Sequence, residues 1–225
     1  MLKALLSDIA AQFSPATLAS SLSAEDMVLT DAIARAGLPI EVFVLDTGRL
    51  HADTLELIST IKKHYRISVR VYTPDADAVA SYVSRHGRDA FYGELELRQR
   101  CCEIRKVQPL KRALAGKRAW ITGQRKDADT RSHLATREFD AINGLEKFNP
   151  LAQWSETQVW DYIRANAVPY NRLYDQGYRS IGCAPCTRPV LPHEELRAGR
   201  WWWESADKKE CGLHGVRLEA KVHAG

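Results

Sequence analysis

The sequence predicts an α/β fold, a Rossmann-like, doubly wound and mostly parallel sheet. Along the first 166 residues, apolar runs rich in β-branched side chains alternate with stretches of helical spacing. Each run ends in a polar or glycine-containing loop, as the buried strands of a parallel sheet do. After about residue 167 the alternation stops, and Pro, Gly, Arg and Trp become frequent. We therefore expect an irregular C-terminal segment packed against the sheet domain.

The individual elements follow from local patterns. Strands are predicted at 40–48, 67–74 and 118–125. Helices are predicted at 1–13, 24–37, 51–65 and 155–166, where apolar residues recur every three or four positions. Gly37 stands where a C-terminal helix cap belongs, and Ser155 with Gln158 has the spacing of a capping box.

Composition narrows the functional class. The chain has 225 residues, with 32 Lys and Arg against 28 Asp and Glu, a formal charge of +4. This small surplus suits an anionic small molecule better than a nucleic acid, whose binding needs a denser basic stripe. No apolar stretch approaches the roughly 18 residues that span a membrane. Asp8 and Gln12 interrupt the opening helix where a secretory signal has its apolar run. We expect a cytoplasmic protein that binds neither nucleic acid nor membrane.

Three loops are expected to meet at one edge of the sheet, because open α/β sheets bind ligands outside the carboxyl ends of their strands. The loops are 20–26, 46–49 and 122–131. The first, "SSLSAED", puts small hydroxyl residues before a helix N-terminus, an arrangement that favours an anion. Its candidate binding residues are Ser21, Ser23, Glu25 and Asp26. The other two loops add the cations Arg49, Arg125, Lys126 and Arg131.

Four of the five cysteines can be grouped into one metal site. Cys101 and Cys102 are adjacent, and Cys183 and Cys186 form a C-x-x-C pair. Cysteines in a cytosolic protein indicate metal binding or catalysis more often than disulfides. Four thiolates suit either zinc or a [4Fe–4S] cluster.

A second grouping is also compatible with the spacing. Cys183, Cys186, Cys211 and His214 have the spacing C-x2-C-x24-C-x2-H, which suits zinc and leaves the adjacent pair outside the site. Under this alternative the protein is a zinc-binding interaction module on a nucleotide-binding domain. The cysteine spacing alone leaves both groupings open.

Four motifs together resemble one family. They are "CCEIRK" (101–106), "GCAPCTRP" (182–189), "GRWWWE" (199–204) and "KKECGLH" (208–214). In this order they are similar to the assimilatory adenylyl-sulfate reductases, relatives of the phosphoadenylyl-sulfate reductases, over roughly residues 18 to 214. The resemblance implies a sheet of the adenine-nucleotide alpha-hydrolase type and one reductase domain over 1–225. Within it, about 15–166 would form the nucleotide-binding core, and about 167–225 the cluster-binding, catalytic segment.

The resemblance also implies a reaction, the thiol-dependent reduction of adenosine 5′-phosphosulfate to sulfite and AMP in sulfate assimilation. Cys211, on a mobile tail, would be the nucleophile and would carry an S-sulfonate intermediate. Lys208, Lys209 and His214 would favour its thiolate. Thioredoxin would supply the reducing thiols, and the enzyme would be a homo-oligomer. The same reaction on the 3′-phosphorylated nucleotide remains the nearest alternative.

Site residues are implied in the same way. The iron–sulfur branch of the family would hold a [4Fe–4S] cluster on Cys101, Cys102, Cys183 and Cys186. Lys106 would lie between cluster and substrate. Arg197 and Arg200 would grip the phosphosulfate, with further contacts from Arg49 and Arg131. Position 23 is Ser where the family commonly has Gly, the residue that permits a positive φ and close backbone approach. Ser23 would supply a hydroxyl donor instead, and nucleotide binding is still expected.

Overall fold

A computed structural model describes residues 1–126 and 134–205, together with residues 209 and 213. The strands are β1 (Ala16–Ser20), β2 (Ile40–Leu45), β3 (Val69–Tyr72), β4 (Ala119–Ile121), β5 (Arg137–Asp140) and β6 (Leu145–Phe148). The helices are α1 (Leu2–Gln12), α2 (Ala24–Arg35), α3 (Ala52–Tyr65), α4 (Ala76–His86), α5 (Leu95–Cys102), α6 (Gln108–Leu114) and α7 (Glu156–Asn166). A π-helical turn, Glu103–Val107, joins α5 to α6.

The six strands form one sheet in the order β3-β2-β1-β4-β6-β5. All neighbouring pairs are parallel except β5 and β6, which form an antiparallel hairpin at the edge. The chain winds outward from β1 in one direction and from β4 in the other, so the strand order reverses between these two strands. The predicted doubly wound, mostly parallel sheet is confirmed, and its ligand crevice belongs at this reversal.

Apolar side chains cover both faces of the sheet. Val42 and Val44 belong to a buried cluster with residues of α1, α2, α3 and α7. Phe43, which points to the opposite face, joins Trp120 and the apolar side of α6 in a second cluster. Burial on both faces explains why the strands read as continuous apolar runs rather than as alternating patterns.

The structure confirms each predicted helix and strand, with the strands shorter than their apolar patterns. Gly37 has a φ of +59°, as a residue just after a helix end requires. Both hydrogen bonds of the Ser155–Gln158 capping box are present. The β5–β6 hairpin and the helices between residues 76 and 114 were not predicted.

The segment after residue 167 is irregular, as expected. Its described part contains two 3-10 turns, Arg172–Gln176 and Ala184–Cys186, and one isolated bridge between Thr187 and Arg200. Across the described residues of the whole chain, none of the helices has the length and apolar character needed to cross a membrane.

Candidate active site

A cavity of about 260 Å³, here called the larger cavity, lies at the carboxyl ends of β1, β2 and β4. Ser20 and Ser21 line it after β1, Thr47 after β2, and Thr122 and Gly123 after β4. The strand order reverses at this point, so the cavity occupies the crevice in which sheets of this kind bind ligands.

The serine-rich loop is held by its own hydrogen bonds. The backbone N–H and the hydroxyl of Ser21 donate to Asp26 Oδ2 at 2.6 and 2.7 Å. Ser23 is the N-cap of α2 and accepts from the Asp26 N–H at 3.4 Å. The left-handed residue of the loop is Leu22, with φ +64°, whereas Ser23 has φ −69°. A glycine is therefore not required at position 23 in this chain.

Asp26 lies buried in the wall of the larger cavity. Burial raises the pKa of its carboxyl to about 6, although the Ser21 hydrogen bonds act in the opposite direction. The loop after β4 packs tightly against it, since a Cβ added at Gly123 would lie 2.5 Å from Asp26 Oδ1. Only glycine fits at this contact.

Arg125 is fixed beside the same loop. Its guanidinium is buried and pairs with Glu25, with 2.8 Å between Nε and Oε1. It also donates to the carbonyl of Trp154 at 3.3 Å. The ion pair joins the loop after β4 to the start of α2, so two of the predicted loops form one wall.

Positive charge dominates the lining of the larger cavity. Five cationic side chains line it: Lys106, Arg125, Arg179, Arg197 and Arg200. Only two carboxylates, those of Glu25 and Asp26, are among the described residues of the lining. Apolar groups complete the lining, among them Phe43, Leu110, Trp120 and Leu213. This combination suits a ligand with a flat apolar part and a strongly anionic part.

Two of these arginines come from the irregular segment. Arg200 donates to the Ile181 carbonyl at 3.2 Å, and a Cβ at Gly182 would lie 2.6 Å from its Nη2. Arg197 donates to the carbonyl of Lys209 at 3.3 Å. The C-terminal segment therefore brings its own cations to the sheet edge.

The four cysteines of the two pairs line a second, smaller cavity. Cys101 and Cys102 end α5, while Cys183 immediately precedes the 3-10 turn Ala184–Cys186 and Cys186 ends it. None of the four forms a disulfide. Across the described part of the chain, no three Cys, His, Asp or Glu side chains are gathered closely enough to hold a single metal ion.

The surroundings of these thiols are buried and polar. Burial raises the pKa of the Cys101 thiol and that of Cys186, the latter to about 12, so both stay protonated at neutral pH unless a cation compensates. Thr47 Oγ1 lies 3.2 Å from Cys183 Sγ. Arg105 donates to the Thr47 carbonyl at 2.7 Å.

Lys106 and Cys183 line both cavities. Lys106 belongs to the π-helical turn, is buried, and has its ammonium 6.0 Å from the ring centroid of Trp201. A cation in this position acts on the contents of both cavities.

The predicted residues divide into three groups. The larger cavity brings together Ser21, Ser23, Glu25, Asp26, Arg125, Arg197, Arg200 and Lys106. Arg49 lines the smaller cavity instead, where it pairs with Asp89 at 2.7 Å and stacks over Phe91. Cys211, Arg131, Lys208 and His214 lie outside the described residues.

Several lining residues were missed by the sequence analysis. Arg98 and Arg105 line the thiol cavity, and Arg179 lines the larger one. Arg98 precedes Cys101 by three positions and Arg105 follows it by four. That spacing places side chains on one helical face and could have identified both arginines. No local pattern marks Arg179.

The chain was compared with known proteins. The Phosphoadenosine phosphosulfate reductase domain family matches residues 15–189. Adenosine 5′-phosphosulfate reductase of Allochromatium vinosum is 56% identical over 211 residues, 93% of this chain and 82% of the relative. The protein of the same name from Burkholderia cepacia is 53% identical over 214 residues, 95% of this chain and 86% of the relative.

Solved structures share the fold. Phosphoadenylyl-sulfate reductase from Candida auris, in a phosphate complex, superimposes with a TM-score of 0.72 at 27% identity, covering 84% of this chain and 90% of that one. Yeast FAD synthetase in complex with FAD gives a TM-score of 0.59 at 17% identity, covering 85% and 65%. The second likeness concerns the fold alone.

Proposed function

Because this chain belongs to the phosphoadenosine phosphosulfate reductase domain family, we propose that it reduces adenosine 5′-phosphosulfate to sulfite and AMP. The relatives at 53 and 56% identity carry the name of that activity. The observation that carries the proposal is the shared lining of the two cavities. A cation-rich crevice at the sheet edge adjoins four free thiols, with Lys106 and Cys183 common to both.

The larger cavity would bind the nucleotide. Its apolar side chains suit the adenosine, and Lys106, Arg197 and Arg200 supply positive charge for the phosphosulfate. A charge-assisted hydrogen bond contributes about 1.5–3 kcal/mol, so several are needed to hold such an anion out of water. Ser21, Ser23, Glu25, Asp26 and Arg125 would shape the loop on which the ligand rests. Arg49 and Arg131 stay predictions as substrate contacts.

The smaller cavity would hold a [4Fe–4S] cluster on Cys101, Cys102, Cys183 and Cys186. The donor set fits such a group, because four free thiols line one cavity and a cluster of this kind is held by four cysteine thiolates. When bound, the cluster would supply structural support and an electrostatic field near the substrate. Arg105 and Lys106 lie where they offset the charge of the thiolates.

Cys211 would perform the chemistry. Its thiolate attacks the sulfate sulfur, a new S–S bond forms, the S–O bond to the phosphate breaks, and AMP leaves with the electron pair. The first thiolate of thioredoxin then attacks Cys211 Sγ, expels sulfite and forms a mixed disulfide. The second thioredoxin thiol releases Cys211, so the dithiol provides both electrons.

Two residues near Cys211 in sequence support this role. The backbone carbonyl of Lys209 accepts a hydrogen bond from Arg197, which lines the larger cavity. The Lys209 ammonium donates from Nζ to the Ala198 carbonyl at 3.5 Å. Burial lowers the pKa of the Lys209 ammonium. Leu213 lines the larger cavity itself. Of these two residues, Leu213 lies in the cavity lining and Lys209 contacts an arginine of that lining.

The remaining features of the proposal extend from the family. The chain forms one reductase domain, with a nucleotide-binding core at about 15–166 and a catalytic segment at about 167–225. It acts in the cytoplasm as a homo-oligomer. The 3′-phosphorylated nucleotide is the second candidate substrate, favoured by the family's own name and by the Candida auris relative.

Replacement of the nucleophile tests the proposal. Cys211→Ser should abolish sulfite formation from adenosine 5′-phosphosulfate and reduced thioredoxin, while AMP binding and the brown colour of the protein remain. Retained sulfite formation would exclude Cys211 as the nucleophile. Loss of the metal in this variant would instead favour the zinc-type grouping of Cys183, Cys186, Cys211 and His214.

A further inference from the structure

A buried ion pair joins α5 to the end of the irregular segment. Arg98 Nε lies 2.8 Å from Glu204 Oε1, and Arg98 Nη2 lies 2.9 Å from Oε2. The Arg98 side chain is 1% exposed and that of Glu204 is 8% exposed. Two parallel hydrogen bonds between planar groups fix orientation as well as distance.

The same guanidinium also touches the thiol cavity. Arg98 lines this cavity together with Cys102. Its other face lies over the indole of Trp201, 4.8 Å from the ring centroid, and Arg200 stacks on that indole at 4.6 Å. Arg98 therefore connects the thiol cavity to two other parts of the structure. It pairs with Glu204, and it stacks on Trp201, the residue on which Arg200 of the larger cavity also stacks.

Glu204 is placed at a mechanistically important point of the chain. It follows Trp201 by three residues and precedes Cys211 by seven. The pair thus fixes residue 204 against α5, ahead of the segment that carries the proposed nucleophile. A buried bidentate pair tolerates few alternative geometries, which suits it to fixing a register.

We propose that Arg98 and Glu204 are positioning residues, which hold the root of the Cys211 segment in a fixed place relative to the thiol cavity and the nucleotide site. This inference rests on the proposed function. Arg98 borders the thiol cavity beside Cys102 and also pairs with Glu204, so its loss should affect both the cavity and the Cys211 segment. Loss of Glu204 should affect only the segment. The two residues therefore have separable effects.

The test measures the single-turnover rate of S-sulfonation at Cys211. Purified, metal-containing protein is mixed with adenosine 5′-phosphosulfate without thioredoxin, quenched at intervals and analysed by peptide mass. Glu204→Gln keeps the shape and removes the charge. It should slow S-sulfonation about ten- to a hundredfold, because small misplacements of a reacting group cost that much. Its AMP dissociation constant, iron content and visible absorption spectrum should equal those of the wild type.

Three further variants complete the test. Arg98→Gln should slow S-sulfonation similarly and also alter the absorption spectrum, because Arg98 lines the thiol cavity together with Cys102. The double variant should be no slower than the slower single one. Glu146→Gln is the control, since it breaks an Arg–Glu pair with Arg137 at the sheet edge. That control should sulfonate at the wild-type rate.

Wild-type rates in Glu204→Gln would overturn the inference. It would also be overturned if AMP affinity or iron content fell together with the rate, since the pair would then only support the fold. If the wild-type protein forms no S-sulfonate at Cys211, the proposed function itself fails, and the positioning role fails with it.

Discussion

The two cavities share a wall but are built in different ways. One side of the larger cavity is formed by loops that follow β1, β2 and β4, so the register of the parallel sheet places that side. The irregular segment after residue 167 forms the other side. The smaller cavity is lined mainly by α5, the π-helical turn and the 3-10 turn of the irregular segment. The sheet therefore positions part of the first cavity, whereas the second depends on how helical turns meet the irregular segment. Nucleotide binding and binding of the proposed cluster should therefore be separable, except at the shared wall.

Removing one thiol of the smaller cavity should have the largest effect. Cys186 lines that cavity only, so Cys186→Ser should lose the iron of the proposed cluster and the proposed reductase activity while still binding AMP. Iron analysis, the visible spectrum and AMP calorimetry measure the three properties. Cys211→Ser is the matched control and should keep its iron. A Cys186→Ser protein that loses AMP binding would show that the two cavities are not separable.

Lys106 should affect both cavities, because it lines both. Lys106→Ala should fold and lose about 10- to 100-fold in kcat/KM, the equivalent of one charge-assisted contact of about 1.5–3 kcal/mol. Lys111→Ala, which removes an exposed lysine from α6, is the control and should be unaffected. Near-normal turnover in Lys106→Ala would remove this lysine from the shared wall.

Replacing Asp26, in the wall of the larger cavity, should have the smallest effect, a pH-dependent change in the free energy of unfolding. Burial raises its pKa from 3.8 to about 6 in the folded protein. The folded state therefore keeps this proton when the unfolded chain has lost it, and the resulting stabilisation disappears as pH rises through about 6. When the pH is raised from about 4.5 to about 7.5, the wild type should lose about 2 kcal/mol of unfolding free energy that Asp26→Asn does not lose. Denaturant titrations at both pH values measure it. A difference that does not change with pH would mean that Asp26 titrates normally.

The sequence predicted the sheet well because buried parallel strands and capped helices leave local signals. Val42, Phe43 and Val44 form a continuous apolar run, and Ser155 with Gln158 marks a helix start. The β5–β6 hairpin was missed because Arg137 and Glu138 interrupt its pattern, and Phe139 of this edge strand is largely exposed. An edge strand with polar faces carries little of the signal of a buried strand.

The site was predictable where one motif contains the whole feature. Loop 20–26 and the cysteine pairs were recognised in this way, but the contact between Arg98 and Glu204 joins residues 106 positions apart. The double role of Lys106 also depends on how the π-helical turn meets the irregular segment, which no local spacing encodes. Arg49 illustrates the same limit. Its loop lies at the predicted edge of the sheet, but its side chain pairs with Asp89, a contact that the sequence does not indicate.

The proposed function depends on attack by Cys211 on a sulfonucleotide bound beside Lys106. Attack is tested by the intact mass of reduced, anaerobically purified protein after mixing with each nucleotide in the absence of thioredoxin. We expect a gain of one sulfonate group with adenosine 5′-phosphosulfate, mapped to Cys211. The same gain with only the 3′-phosphorylated nucleotide would keep the mechanism and change the substrate. No adduct with either nucleotide, from protein that contains iron, would show that Cys211 is not the nucleophile.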